Sequence, residues 1–144
     1  MKQLIDILLH QNCSLVVKST KGEITSYNKK GVRDLIYLLD NDAERLRGAM
    51  VADKVIGKAA AGLMVRGGVV EVYADVMSQL ALPLLQEAGI SYSFGQLVEH
   101  IVIPEGDSRC PLEQIVADAQ NASEIEAMLR EHFAQMQAAR NHSK

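Results

Sequence analysis

Ionisable residues cluster at two points where the sequence predicts that a strand passes into a helix. Asp53, Lys54 and Lys58 follow a short apolar run, and Asp75 and Ser78 follow a second one. On a helix, Lys54 and Lys58 share one face, and two ammonium groups near a helix N-terminus suit an anion such as phosphate. Asp53 suits the cap of that helix and also a ligand at the same corner. The alternative is that the lysines are solvated on an outer face.

Cys110 and Glu113 form a third group, at the start of a later predicted helix. A helix N-terminus lowers the pKa of a thiol and makes it a better nucleophile, so Cys110 is a candidate catalytic nucleophile. The carboxyl group of Asp53 is a second catalytic candidate. A small buried apolar side chain is the alternative role for Cys110. Glu113 is a candidate ligand contact or a simple complement to the helix dipole. The predicted ligand-binding residues are Asp53, Lys54, Gly57, Lys58, Asp75, Ser78 and Glu113.

The elements that position these residues follow from hydrophobic spacing and turn signals. We predict strands at 14–19, 23–27, 49–52 and 69–74, with one or two more within 90–103, and helices at 1–10, 32–39, 53–66, 78–88, 110–119 and from 123 onward. The last helix is predicted to open with a capping box formed by Ser123 and Glu126. A hairpin followed by alternating strands and helices predicts an α/β fold with three αβα layers and a mixed sheet carrying an N-terminal hairpin. In such sheets ligands lie at the carboxyl ends of the parallel strands.

Composition bounds the class of protein. The chain has 144 residues, 48% of them hydrophobic and 23% charged, which predicts one domain over 1–140 and a frayed tail over 141–144. A formal charge of −3 and 4% aromatic residues argue against nucleic-acid binding. No apolar run reaches the roughly 20 residues that span a bilayer, so no membrane partner is expected. Two lone cysteines form no disulfide framework, and a cytoplasmic location is expected.

Three motifs, taken in order, are similar to those of a known family. They are Asp53-Lys54-x-x-Gly57-Lys58-Ala59-Ala60-Ala61, Gly67-Gly68-Val69-x-Glu71-Val72-Tyr73-Ala74 and Cys110-Pro111-x-Glu113. Together they resemble an uncharacterised bacterial and archaeal family, a domain of unknown function, over about residues 10–120. The resemblance implies a cytidine deaminase-like fold and a site at the two strand-to-helix corners.

The zinc chemistry of deaminases needs residues that this sequence lacks. Zinc deaminases use His-x-Glu or Cys-x-Glu at one helix and Pro-Cys-x-x-Cys at the next. Residues 52–55 read Ala-Asp-Lys-Val, residues 75–78 read Asp-Val-Met-Ser, and Cys110-Pro111 has the reverse order with no second Cys. We therefore expect no metal, no cofactor and no zinc-dependent deamination. Whether the protein is an enzyme stays open, because the resemblance implies a superfamily that includes zinc-free formyl-transferring enzymes.

Three functions remain as hypotheses. The first is a zinc-free deaminase-like domain that binds a small anionic or nucleotide-like ligand at the strand ends. The second is an enzyme with Cys110 as nucleophile. The third is a non-catalytic module that assembles into a homo-oligomer, suggested by opposite charge along the chain. Residues 18–33 contain five bases and one acid, whereas residues 99–131 contain eight acids and two bases.

Overall fold

The computed structural model of this chain describes residues 1–28, 32–101 and 111–142. The strands are β1 (Leu15–Lys18), β2 (Ile24–Tyr27), β3 (Met50–Ile56), β4 (Glu71–Ser78) and β5 (Ser91–Val98). The helices are α1 (Lys2–His10), α2 (Val32–Asn41), α3 (Ala43–Leu46), α4 (Lys58–Gly67), α5 (Leu82–Glu87), α6 (Pro111–Ile115) and α7 (Ala122–His142), with a 3₁₀ turn at Gln79–Ala81.

The five strands form one mixed sheet in the order β2-β1-β3-β4-β5. β1 pairs antiparallel with β2 and with β3, whereas β3, β4 and β5 run parallel. Helix α1 packs on one face, in an apolar cluster that includes Leu4, Leu8 and Val16. The larger core lies on the other face, between the sheet and α2, α4 and α7. The predicted α/β fold with an N-terminal hairpin and helices on both faces is confirmed.

The strand β3 is longer than predicted, and this changes the environment of the residues after the apolar run. We predicted that the strand ends at Ala52 and that Asp53 caps a helix, which is wrong. β3 continues to Ile56, paired in parallel with β4, and α4 begins at Lys58 with Gly57 as its N-cap. The β-branched residues Val55 and Ile56 extend the pairing, and this outweighs the capping preference of Asp.

Helix α4 packs directly against α7 at Gly62. A Cβ atom at Gly62 would lie 2.6 Å from Ile125 Cγ2 on α7, so no larger residue fits there without movement. The helix α7 begins at Ala122, one residue before the predicted start at 123, and the Oδ1 atom of Asn121 accepts a hydrogen bond from the Glu124 amide at 2.9 Å. Ser123 therefore lies inside the helix, and the predicted capping box with Glu126 is wrong. Glu126 instead pairs with Arg66 and Arg130. None of the described helices combines the length and apolarity that a membrane span requires.

Candidate functional site

Asp53 is a buried carboxyl group near the centre of the sheet. It lies in β3 opposite Leu15 of β1 and Ala74 of β4, and only 2% of its surface is exposed. Its Oδ1 atom accepts a hydrogen bond from the Val55 amide at 3.2 Å. Its Oδ2 atom has no hydrogen-bond partner among the described residues. A buried oxygen without a partner is rare in native proteins and marks a position that needs an explanation.

Asp53 lines a cavity of about 290 Å³, here called the Asp53 cavity. Most of the wall is apolar, and the polar residues are few, which is the usual composition of a small-molecule site. The lining residues are Ser14, Val32, Asp53, Lys54, Val55, Gly57, Ala60, Ile101, Leu112 and Glu113. The cavity therefore combines an apolar enclosure with an unpaired carboxyl oxygen.

Burial raises the pKa of Asp53 from 3.8 to about 7. The cause is the loss of hydration around the charged form, and the nearby charge of Asp34 raises the pKa further. The backbone amides of Val55 and Lys54 act in the opposite direction, because they stabilise the carboxylate. At neutral pH the carboxyl group is therefore present in both its protonated and its ionised form.

Glu113 is equally buried, with 2% of its surface exposed, but both of its oxygens are paired. Oε1 accepts a hydrogen bond from the Lys58 amide at 3.1 Å, and Oε2 accepts one from the Ile101 amide at 2.9 Å. The carboxylate thus ties α6 to the start of α4 and to the segment after β5. A Cβ atom at Gly57 would lie 2.5 Å from Glu113 Oε1, so the turn before α4 needs glycine here.

Four of the seven predicted ligand-binding residues meet at this cavity: Asp53, Lys54, Gly57 and Glu113. Lys58 lies next to it through its backbone, but its ammonium group donates to the carbonyls of Ala117 and Ala119, both at 2.9 Å. The prediction that Lys54 and Lys58 share one helix face is wrong, because Lys54 belongs to β3. The paired lysines that favoured an anion are therefore not formed.

Asp75 and Ser78, the second predicted corner, do not line the Asp53 cavity. Asp75 follows Ala74 in β4, so its side chain projects from the other face of the sheet than Asp53. A Cβ atom at Gly95 would lie 3.2 Å from Asp75 Oδ1 and 3.2 Å from Tyr73 Oη. Ser78 is fully buried and caps the following turn, with its Oγ accepting from the Leu80 amide at 3.1 Å. The two predicted corners thus do not form one site.

Cys110 lies outside the described residues, so its predicted catalytic role stays a prediction.

Sequence reasoning missed Asp34, which is 3% exposed and stands in the first turn of α2. Its signal was available, because Asp34 lies four residues before the buried Leu38 and so falls on the apolar stripe of that helix. Among the described residues, no group of three or more His, Cys, Asp or Glu side chains is arranged to hold a metal ion.

The fold and this site define an α/β domain with a mixed five-stranded sheet and a cavity lined by a buried, unpaired carboxyl oxygen. Residues 3–133 match the family described as "TM1506: Domain of unknown function (DUF1893)", and the chain belongs to this family. No curated protein matches the sequence.

Two solved structures from Thermotoga maritima are similar to the chain. The first is a DUF1893 family protein (TM1506), with 26% identity and a TM-score of 0.81 over 91% of this chain and 88% of that one. The second is a diaminohydroxyphosphoribosylaminopyrimidine deaminase/5-amino-6-(5-phosphoribosylamino)uracil reductase. It has 18% identity and a TM-score of 0.43 over 66% of this chain and 35% of that one. A score this low assigns no fold, and the deaminase-like part of the expectation stays a prediction.

Proposed function

We propose that this protein binds a small polar molecule in the Asp53 cavity, and that the molecule forms a hydrogen bond with the Asp53 carboxyl group. One observation carries the proposal. The Oδ2 atom of Asp53 is buried, lines the cavity and has no partner in the described part of the chain. Leaving such an atom unpaired costs about 1–3 kcal/mol, and a ligand that pairs with it recovers this free energy on binding.

The cavity also accounts for the size and character of the ligand. Its volume of about 290 Å³ lies just below the range of drug-sized pockets, so it fits a small molecule or one end of a larger one. The apolar wall favours a ligand with a flat or aliphatic body. The buried carboxyl then fixes the orientation of that body, because its Oδ2 atom is buried and unpaired.

The nucleotide-like ligand predicted from the sequence is compatible with this arrangement through its base, since a heterocycle presents N–H groups on a flat apolar body. An anion is less well supported. Lys54 is the cation among the described lining residues, and two carboxyl groups, Asp53 and Glu113, line the same cavity. Any phosphate of a nucleotide-like ligand would therefore lie outside the part of the cavity next to Asp53.

A binding screen on the full chain tests the proposal. Thermal shift followed by calorimetry would compare nucleobases, nucleosides, amines, amides, carboxylates and phosphosugars. We expect saturable binding that is lost in Asp53→Asn and kept in Asp75→Asn. Asp75 is the matched control, because it is an aspartate near the carboxyl end of the neighbouring strand but faces away from the cavity. Hits that bind Asp53→Asn as tightly as the unsubstituted protein would contradict the proposal.

The other expectations from the sequence remain proposals. Catalysis by Cys110 lies outside the described residues. Assembly into a homo-oligomer is suggested by the charge pattern, and a cytoplasmic location by the lone cysteines. The absence of a nucleic-acid partner is expected from the acidic, aromatic-poor composition.

A further inference from the structure

Resting on the proposed function, we propose that the ligand of the Asp53 cavity is a small organic cation with an amidinium or primary ammonium group. The buried carboxyl group of Asp53 has an unpaired Oδ2 atom. A cation can pair with this oxygen and at the same time supply the countercharge that the ionised group lacks. A buried carboxylate with a countercharge and a hydrogen bond is far less costly than one without them.

The charges around Asp53 favour a positive ligand. Asp34 on α2 is close enough to act on the ionisation of Asp53, and Glu113 on α6 lines the same cavity. Lys54, next to Asp53 in β3, is the cation of the lining and is partly exposed. Among the described residues that line the cavity, two carboxyl groups therefore accompany one lysine.

Within the described part of the chain, the other residues that line the cavity have uncharged side chains. Ser14 comes just before β1, Leu15 of β1 and Ala74 of β4 lie opposite Asp53, and α4 contributes Ala60. Lys58, at the start of α4, directs its ammonium group to the backbone carbonyls of Ala117 and Ala119. An anion placed beside Asp53 would therefore meet the carboxyl groups without a second cation from the described lining residues to offset them.

The available lone pairs suit a planar donor. Oδ1 uses one acceptor position for the Val55 amide and keeps the other, and Oδ2 keeps both. An amidinium group donates two parallel N–H bonds, which is the geometry of bidentate carboxylate pairs. A planar apolar body behind it would lie against the side chains of Ala60, Ile101 and Leu112.

Binding of such a cation requires the ionised form of Asp53, so the proton leaves as the cation enters. With a pKa of about 7 in the free protein, the ionised fraction rises steeply between pH 6 and pH 8. The apparent affinity scales with that fraction, and the dissociation constant should fall about tenfold over this interval. At pH 7 roughly half a proton should be released for each cation bound.

Three probes of nearly the same shape test the charge of the ligand. Benzamidine is a cation, benzamide is neutral and benzoate is an anion. Calorimetry at pH 6 and pH 8, in two buffers of different ionisation enthalpy, gives both the affinity and the number of protons released. The proteins are the unsubstituted chain, Asp53→Asn and the control Asp75→Asn. The Val55 amide signal of the unsubstituted protein, observed by NMR, reports directly on the Asp53 carboxyl and requires no variant.

We expect benzamidine to bind most tightly, more tightly at pH 8 than at pH 6, with a shift of the Val55 amide and loss of binding in Asp53→Asn. Equal or tighter binding of benzamide or benzoate through Asp53 would overturn the cation proposal and leave the proposed function intact. No saturable binding of benzamidine at millimolar concentration would also overturn it. Failure of the proposed function would differ from both, because then no compound of the wider screen would depend on Asp53.

Discussion

Replacing Asp53 by Asn should make the stability of this protein less dependent on pH. The folded protein holds the pKa of Asp53 at about 7, against 3.8 in an unfolded chain. Because the folded-state pKa is raised, the stabilising effect of protonation is complete below the unfolded pKa and is lost as pH rises through the folded pKa. Between pH 5 and pH 8 this group should lower the free energy of unfolding by roughly 2–3 kcal/mol. Asn does not titrate, so Asp53→Asn lacks this component.

Urea denaturation at pH 5, 6, 7 and 8 measures the effect. The chain contains no Trp, so far-ultraviolet circular dichroism is the suitable signal. The two proteins are compared by the difference between their free energies of unfolding, and the informative quantity is how this difference changes with pH. A constant offset from the new amide cancels in this comparison, and so do the histidines that both proteins share. Asp75→Asn is the control, and its difference from the unsubstituted protein should stay nearly constant with pH.

A difference in the free energy of unfolding that stays constant with pH would refute the raised pKa of Asp53. If Asp53→Asn and the unsubstituted protein differed by the same amount at pH 5 and pH 8, within about 0.5 kcal/mol, Asp53 would not be protonated by burial. A difference that grew in the opposite direction would mean that the folded protein stabilises the ionised form. Either result would also remove the expected release of protons on ligand binding.

Three further substitutions test individual contacts that hold the fold together, each by urea denaturation. Glu113→Gln should lower the free energy of unfolding by about 1–3 kcal/mol. The Glu113 carboxylate accepts hydrogen bonds from two backbone N–H groups, and one of these groups would face the amide NH₂ of Gln. Gly62→Ala should cost about 1–3 kcal/mol, because its Cβ would lie 2.6 Å from Ile125 Cγ2. Combined with Ile125→Ala, it should cost less than the two single effects added together. Ser78→Ala should cost about 0.5–2 kcal/mol through the lost cap but leave ligand binding unchanged.

The order and type of the elements could be read from hydrophobic periodicity, but the end of β3 could not. The run at 49–52 is followed by Asp53 and Lys54, two charged residues that usually mark the end of a buried strand. The strand continues because its partner β4 also continues, and Val55 pairs with Val76 of that strand. Pairing between residues about 20 positions apart is a tertiary effect, and local residue preferences do not contain it.

The candidate site shows the same limit at longer range. Asp53 and Glu113 could each be selected as the charged residue at an element boundary, and both line the cavity. Their different roles could not be predicted from the sequence, because each role depends on which backbone amides the carboxyl group contacts after folding. The fate of the Lys58 ammonium depends on the carbonyls of Ala117 and Ala119, about 60 residues away in the chain. The two lysines therefore looked like a pair in the sequence but are separated in the fold.

The contrast between the two buried carboxyl groups is the strongest reason to regard Asp53 as the binding residue. Glu113 accepts two backbone hydrogen bonds that join separate segments, so its burial is compensated and its removal should lower stability. Asp53 accepts one such bond, leaves its Oδ2 atom unpaired and is costly to ionise near neutral pH. Sequences break the rules of stable folding mainly where function requires it. Replacing Asp53 should therefore abolish binding while raising stability above neutral pH, and a purely structural residue would not combine these two effects.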